Sequence, residues 1–246
     1  MKHIATLLIC SLILLVGCGG NSKSKQYLVG IDASWHSVDL EGKENNVTAF
    51  STDLLQEIGR VQKIFFSKVT VSSWDNLIPG LKNKHYDAIL SSITPYNFNL
   101  DTYDFSNVYL PTGPVLIVST LSSITSLDEL KGKEIAVQPG LSGINILEKY
   151  PGILIRNYQS VPTALNDILD ETVDGALVDS LLAYSYVQEL YKGQLKIVTP
   201  PLNDAGLRFI MLHGAEKNGI KEFDAGLEKL KKSGVYDQLL KKWSLN

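Results

Sequence analysis

Residues 87–106 read DAILSSITPYNFNLDTYDFS, and this segment decides how the chain is interpreted. It begins as a strand, because the apolar run 88–90 follows the polar residues 82–85. The run then gives way to small hydroxylated residues, a proline and two asparagines. A buried strand that opens into small polar residues brings N–H groups and hydroxyls to the carboxyl end of a sheet, where open α/β sheets hold ligands. An ordinary loop after a strand is the alternative, so the flanking sequence is needed to decide.

The segments before it alternate between strand and helix patterns. Residues 27–31 and 64–71 are apolar runs typical of strands, and residues 50–58 carry an amphipathic helix pattern. Asp75 begins a further short helix before the strand at 88–90. This order predicts a parallel sheet with helices on its faces.

A second α/β set follows the sequence PTGP at 111–114. Its predicted strands are residues 115–119, 134–137, 154–157, 175–179 and 196–198, and its predicted helices are 144–150, 161–169 and 181–191. The apolar run 206–212 and the helical region 221–243, broken at Gly234, come after Pro200-Pro201. Two α/β sets separated by Pro/Gly joints predict two lobes and a cleft, with the C-terminal helices returning to the first lobe.

The composition excludes some function classes. The chain has 246 residues, a hydrophobic fraction of 44%, a charged fraction of 20% and a net charge of −3. It has no basic stripe, so we expect no nucleic-acid partner. We find neither a Ser/His/Asp set nor histidines at metal-ligand spacing, and therefore expect no catalytic residues, metal or cofactor.

The N-terminus predicts export and a lipid anchor. Lys2 and His3 precede an apolar run at 4–16 that is too short to span a bilayer as a mature helix. The run ends in Leu-Val-Gly-Cys at 15–18, which resembles the bacterial lipoprotein box, and this resemblance implies cleavage before Cys18 and acylation of its thiol. A plain secretory peptide with a chance cysteine is the alternative. Residues 19–26 then form a flexible polar tether, and the protein lies in the periplasm or at the outer face of the cell membrane.

Several sequence blocks together resemble the bacterial extracellular solute-binding proteins of family 3, the polar amino-acid receptors of ABC importers. They are 29–32 (VGID), 73–79 (SWDNLIP), 86–89 (YDAI), 104–106 (DFS), 127–133 (LDELKGK), 173–180 (VDGALVDS) and 234–237 (GVYD). The resemblance implies an α/β two-lobe clamp of type II with crossover strands near 110–113 and 201–204. The lobes are then residues 27–111 with 203–246, and residues 112–202. It also implies a small polar, amino-acid-like solute, an ABC permease as partner, and a monomer.

The resemblance also implies roles for individual residues. Trp35 and Trp74 match aromatic walls that stack on the solute, although His36 and Ser37 replace the two prolines usual after the first aromatic. Asp179 matches the acid that receives the α-ammonium, with a helix N-cap as its alternative. Gln138 and Ser142 lie in the loop that matches the family's carboxylate-binding helix start.

The family's carboxylate-clamping Arg is missing. Depending on the alignment, Asn97 or Asn99 takes its place, which argues against a free α-amino acid held by its carboxylate in the family's usual way. Arg208, in the apolar run 206–212, is the candidate replacement, and a structural salt bridge to Asp32 or Asp204 is its alternative. The remaining candidate ligand-binding residues are Asp32, Ser92 and Thr94.

Two rival functions remain open. The same fold resembles periplasmic cyclohexadienyl dehydratases, for which Asp32, Asp179 and Arg208 are the only candidate catalytic groups. A clamp that senses a ligand without transporting it is the other rival.

Overall fold

The computed structural model describes residues 25–246 except 37, 39, 41, 72, 139–142 and 216–217. The predicted signal peptide, Cys18 and most of the tether therefore lie outside the described residues. Within the described part of the chain, no helix has both the length and the apolar character required to cross a membrane.

The described elements follow the predicted alternation of strands and helices. Up to the first crossover they are β1 (Gln26–Asp32), α1 (Glu44–Gln62), β2 (Phe65–Val71), α2 (Trp74–Lys82), β3 (Ala88–Ser91), α3 (Asn97–Leu100), β4 (Tyr103–Phe105) and β5 (Leu110–Pro111). The next elements are β6 (Pro114–Ser119), a 3₁₀ turn (Leu127–Leu130), β7 (Glu134–Val137), α4 (Gly143–Leu147), β8 (Leu154–Asn157), α5 (Val161–Leu169), β9 (Gly175–Asp179), α6 (Ser180–Glu189) and β10 (Leu195–Ile197). The chain ends with β11 (Gly206–Leu212), α7 (Gly219–Ser233) and α8 (Val235–Lys242).

The strands form two separate sheets. The first has the order β2-β1-β3-β11-β4, with β5 paired to β11, and the second has the order β10-β6-β9-β7-β8. Each sheet with its helices is called a lobe below, and the two-lobe α/β clamp that the sequence predicted is confirmed.

The predicted parallel arrangement of the first three strands is confirmed, but each sheet also contains antiparallel strands. Strands β1, β2 and β3 are parallel, but β11 runs antiparallel to β3, and β6 runs antiparallel to β9. The cause is the connectivity, because the chain returns from the second sheet and enters the first one from the edge where β3 ends. Strand patterns in a sequence do not contain this information.

Each lobe has its own apolar core. In α1, the buried residues Val47, Phe50, Leu54 and Ile58 recur at helical spacing and face the first sheet. Phe209 of β11 stacks on Phe223 of α7, with ring centroids 4.8 Å apart, and this contact holds the C-terminal helices against the first lobe. Two further clusters cover the faces of the second sheet.

The two chain segments that join the lobes lie side by side. Thr112 N and Gly113 N both donate to Ala205 O, at 3.0 and 3.2 Å. A side chain at Gly113 would collide with Asn203, so the close approach of the two segments requires glycine there. We refer to residues 106–113 and 201–208 as the hinge.

Candidate functional site

In each lobe, strands that end in polar residues end at the same edge of the sheet. In the first lobe, Ile31 pairs with Leu90 and Ser91 pairs with Arg208, so the ends of β1 and β3 and the start of β11 share an edge. In the second lobe, β7 and β9 are parallel, which brings Gln138 and Asp179 to one edge. These two edges adjoin the hinge and form the candidate site.

Trp35 corrects a prediction. Its side chain is only 2% exposed and belongs to the core of the first lobe, and its Nε1 donates to Thr48 Oγ1 at 2.9 Å. The backbone at Trp35 is left-handed, with φ of 52°, which is uncommon for a residue with a side chain. Trp35 is therefore a packing residue in this structure and does not present its ring to a solute.

His36 occupies the exposed position beside Trp35 and was not predicted as a site residue. Its ring lies 5.3 Å from the half-buried ring of Trp74, tilted by 40°, and Ser92 Oγ donates to its backbone oxygen at 2.9 Å. The loops after β1, β2 and β3 are thus in mutual contact, with Trp74 where the sequence predicted an aromatic wall. The signal for His36 was its replacement of a family proline.

Asp32 has a local role. It is 4% exposed, and its two carboxylate oxygens accept hydrogen bonds from Ser34 N at 3.0 Å and from Ser34 Oγ at 2.7 Å. The carboxylate closes the turn after β1, in the manner of an Asx turn. Asp32 thus has hydrogen-bond donors from Ser34 rather than from Arg208, and its role as a ligand-binding group stays a prediction.

The segment from 94 to 100 is compact but exposed. Thr94 O accepts Tyr96 N and Asn99 Nδ2, both at 2.8 Å, so the amide of Asn99 holds the turn together. Asn97 is exposed at the start of α3. Tyr96 and Phe98 are 59% and 75% exposed, and their rings stack with centroids 5.6 Å apart. The family's Arg therefore aligns either with Asn97, whose amide is exposed, or with Asn99, whose amide is hydrogen-bonded within the loop.

Arg208 lies in the hinge. Its side chain is almost fully buried; Nη1 donates to Ser106 O at 2.9 Å and Nη2 donates to Asp204 O at 3.1 Å, with Asp204 Oδ2 at 3.9 Å. Burial lowers the pKa of Arg208, and the charges of Asp204 and Asp224 oppose that shift. These contacts are those of the structural alternative with Asp204, and the role of Arg208 as a clamp for a solute carboxylate stays a prediction.

The second lobe contributes Asp179 and Gln138, both half-buried at strand ends. Asp179 precedes α6, but its side chain makes no capping hydrogen bond to that helix. The neighbouring Ser180 is tied to the hinge, because its N donates to Gly113 O and its Oγ donates to Pro111 O, both at 3.1 Å. Ser142 lies outside the described residues. No group of three or more His, Cys, Asp or Glu side chains suited to a metal ion occurs among the residues that the structure describes.

The family model described as "Bacterial extracellular solute-binding proteins, family 3" matches residues 27–246. A probable histidine-binding protein of Neisseria gonorrhoeae is 26% identical over 255 residues, which cover 98% of this chain and 95% of that protein. The ABC transporter glutamine-binding protein GlnH of Bacillus subtilis is 28% identical over 272 residues, covering 99% and 97%.

Among solved structures, the L-cystine solute receptor of Neisseria gonorrhoeae, in its unliganded open conformation, has a TM-score of 0.69 and 21% identity, covering 89% of this chain and 93% of that one. At this identity the likeness supports the fold alone. The curated relatives are named as binding proteins and not as enzymes, and the chain is accordingly a binding protein.

Proposed function

Because the chain belongs to the bacterial extracellular solute-binding proteins of family 3, we propose that it captures an amino acid or related small polar solute and delivers it to an ABC permease. The observation that carries this proposal is the arrangement of polar and aromatic groups at two strand edges beside one hinge. His36 and Trp74 stand at the edge of the first lobe, and Asp179 stands at the edge of the second. Relatives named for histidine and glutamine binding support a solute of the amino-acid class.

The proposed mechanism is closure of the clamp. We take residues 27–111 with 203–246 as one lobe and residues 112–202 as the other, moving about the hinge. A solute that contacts both edges stabilises the closed form, because only differential binding shifts a conformational equilibrium. The paired backbone of the hinge and its close contact at Gly113 limit the motion to a bend between two fixed bodies.

We further propose that acylated Cys18 anchors the protein at the periplasmic or outer face of the membrane. The apolar run 4–16 and the Leu-Val-Gly-Cys sequence support it. Two or three acyl chains hold firmly, since each buried methylene contributes about 0.8 kcal/mol. If Cys18→Ser still partitions with membranes after a salt wash, this assignment is wrong.

The dehydratase alternative loses its support. Of its three candidate groups, Asp32 is bonded to Ser34, and Arg208 is bonded to two backbone carbonyls in the hinge. The remaining Asp179 is a single carboxylate and cannot also supply the cations that a dicarboxylate substrate requires. A clamp that senses a solute without transport would bind equally well and is distinguished by uptake in cells lacking the protein.

The test of the proposed function is a thermal-shift screen of the purified protein against amino acids, short peptides and amines, followed by small-angle scattering. A solute at 100 times its Kd should add about 2.7 kcal/mol to the free energy of unfolding. The same solute should reduce the radius of gyration, because the clamp closes. The absence of any stabilising compound, or an unchanged radius at saturation, would contradict the proposal.

A further inference from the structure

The strand ends around the candidate site are depleted in cationic side chains. Residues 33–38, 72–76 and 92–102 contain no Lys or Arg, and neither do residues 138–143, 179–185 or 201–205. The same strand ends and the hinge carry several aspartates, namely Asp32, Asp75, Asp179 and Asp204. The charge at this site is therefore carried by carboxylates.

Two cations close in sequence to these ends are bonded elsewhere. Arg208 donates to Ser106 O and Asp204 O inside the hinge, where its side chain is buried. Lys43, at the end of the loop after β1, donates through Nζ to Ser244 O at 2.9 Å. Both side chains are thus engaged away from the strand ends, and the guanidinium of Arg208 is buried, although each keeps N–H donors beyond those in use.

The two serine hydroxyls at the β3 end both take part in hydrogen bonds within the protein. Ser91 Oγ accepts Ile93 N at 3.2 Å, and Ser92 Oγ donates to His36 O at 2.9 Å. A solute carboxylate that enters the first lobe therefore meets no Lys or Arg in residues 92–102, and it meets a buried Ser91 and a Ser92 that already donates its proton to His36 O. Burying a carboxylate without a charged or hydrogen-bonding partner is unfavourable.

Aromatic rings stand where a cation would be expected. Tyr96 and Phe98 lie on either side of Asn97 in sequence, and their rings are stacked and exposed. His36 and Trp74 form a second aromatic pair at the same edge of the sheet. Ring faces attract cations and do not attract carboxylates. Together with Asp179 in the second lobe, these rings favour a positively charged solute.

We propose that the clamp selects an organic cation that lacks a free α-carboxylate, such as an amine or a carboxyl-blocked amino acid. Asp179 receives the ammonium group, and aromatic rings of the first lobe cover the rest of the solute. This inference rests on the proposed solute-binding function and specifies its substrate class.

The test uses pairs of probes that differ only by the carboxylate: L-arginine with agmatine, L-lysine with cadaverine, and L-histidine with histamine. Isothermal titration calorimetry on the full purified protein in detergent measures both members of each pair. We expect at least one amine to bind ten times more tightly, or better, than its parent amino acid. Equal affinities, or tighter binding of the amino acid, overturn the inference while leaving the proposed function intact. If no amino acid or amine binds, both proposals fail.

Two matched pairs of variants locate the contact. Asp179→Asn should weaken the bound amine at least tenfold, whereas Asp170→Asn, an exposed aspartate after α5, should leave it unchanged. Phe98→Leu should weaken it by severalfold, whereas Phe65→Leu should not, because Phe65 is an exposed aromatic at the opposite end of the first sheet. The melting temperature without solute must stay within the error of the parent for all four variants. Equal effects of a site variant and its control would contradict the assignment.

Discussion

The hinge and the segment 92–100 are close in the fold and opposite in character. The hinge is rich in hydrogen bonds, and Ser106 is an example. Its N donates to Phe209 O, its Oγ accepts from Phe209 N, and its carbonyl oxygen accepts from Arg208 Nη1. In the segment 92–100, the largest side chains are aromatic or apolar and point to solvent. The buried Arg208 lies in the hinge, and the segment 92–100 contains no arginine.

This difference is our reason to expect that Arg208 does not replace the missing family Arg as a clamp for a solute. A guanidinium has five N–H donors, which can bind several backbone carbonyl groups as well as a carboxylate. At the hinge it joins residues from both crossover segments, Ser106 and Asp204. The hydrogen bonds of the hinge fix its geometry, whereas the exposed side chains of the segment 92–100 are available to contact a solute.

The largest effect is expected at Gly206, where β11 begins. A Cβ there would lie 2.7 Å from Leu110 O and would also collide with Val108, so Gly206→Ala forces the two hinge strands apart. We expect a loss of about 1–3 kcal/mol in the free energy of unfolding, as for other overpacked sites. Urea unfolding measures it, and an unchanged midpoint would show that the hinge tolerates separation.

Replacing Arg208 should have the next largest effect. Arg208→Met keeps an apolar stem but leaves Ser106 O and Asp204 O without their donors, which should cost about 1–3 kcal/mol in the free energy of unfolding. Arg60→Met is the control, because Arg60 is exposed and forms a surface ion pair with Glu57, so its loss should cost less than about 1 kcal/mol. Unchanged stability of Arg208→Met together with lost recognition of acidic solutes would return Arg208 to the clamp role.

Much of the fold could be predicted from local sequence pattern. The bounds of β7, β8, β9, β11 and α5 agree with the prediction, because each is an apolar run or a helical repeat bounded by polar, Gly or Pro residues. Strand β4 was not predicted, and β5 was expected only as part of the crossover near 110–113 that the resemblance implied, since these strands are two or three residues long and pair with the distant β11. Helix α1 begins at Glu44, before the apolar repeat that predicted its start at 50.

The candidate site was less predictable. Trp35 is an aromatic residue at the expected place, but one left-handed backbone position decides that its ring enters the core and leaves His36 outside. The sequence could not show whether the Asp32 carboxylate closes a turn or binds a ligand, because its hydrogen bonds with Ser34 are seen only in the geometry of the turn. The aromatic pair at 96 and 98 is visible in the sequence, but its exposure is not.

The difference between the two regions can be tested by restoring the absent cation. Asn97 is exposed and Asn99 holds the turn, so Asn97→Arg should fold normally and place a guanidinium at the family's position. We expect the affinity for an α-amino acid, relative to its decarboxylated amine, to rise about tenfold or more, because a charge-assisted hydrogen bond contributes roughly 1.5–3 kcal/mol. Asn97→Gln is the neutral control. No change in that ratio would mean that residue 97 does not face the solute.

The smallest effect concerns a titrating carboxylate beside the hinge. Asp224 Oδ1 accepts Asn107 N at 2.9 Å, and burial raises the pKa of Asp224, although the bond from Asn107 and the charges of Arg208 and Lys231 lower it in part. A carboxyl with a raised pKa ionises first in the unfolded state, so its contribution to stability falls as pH rises above its ordinary value of 3.8.

The comparison for this effect is Asp224→Asn, which retains an acceptor for Asn107 and does not titrate. The stability of the parent relative to this variant should decrease as pH rises from about 3.8 and should level off once Asp224 is ionised in the folded protein. Urea midpoints of both proteins between pH 3.5 and 7, on the order of one pH unit per step, measure the difference. A parent that gains stability relative to Asp224→Asn over this range would mean that the attraction of Arg208 and Lys231 outweighs burial. The hinge would then be held by an ion pair as well as by its backbone hydrogen bonds.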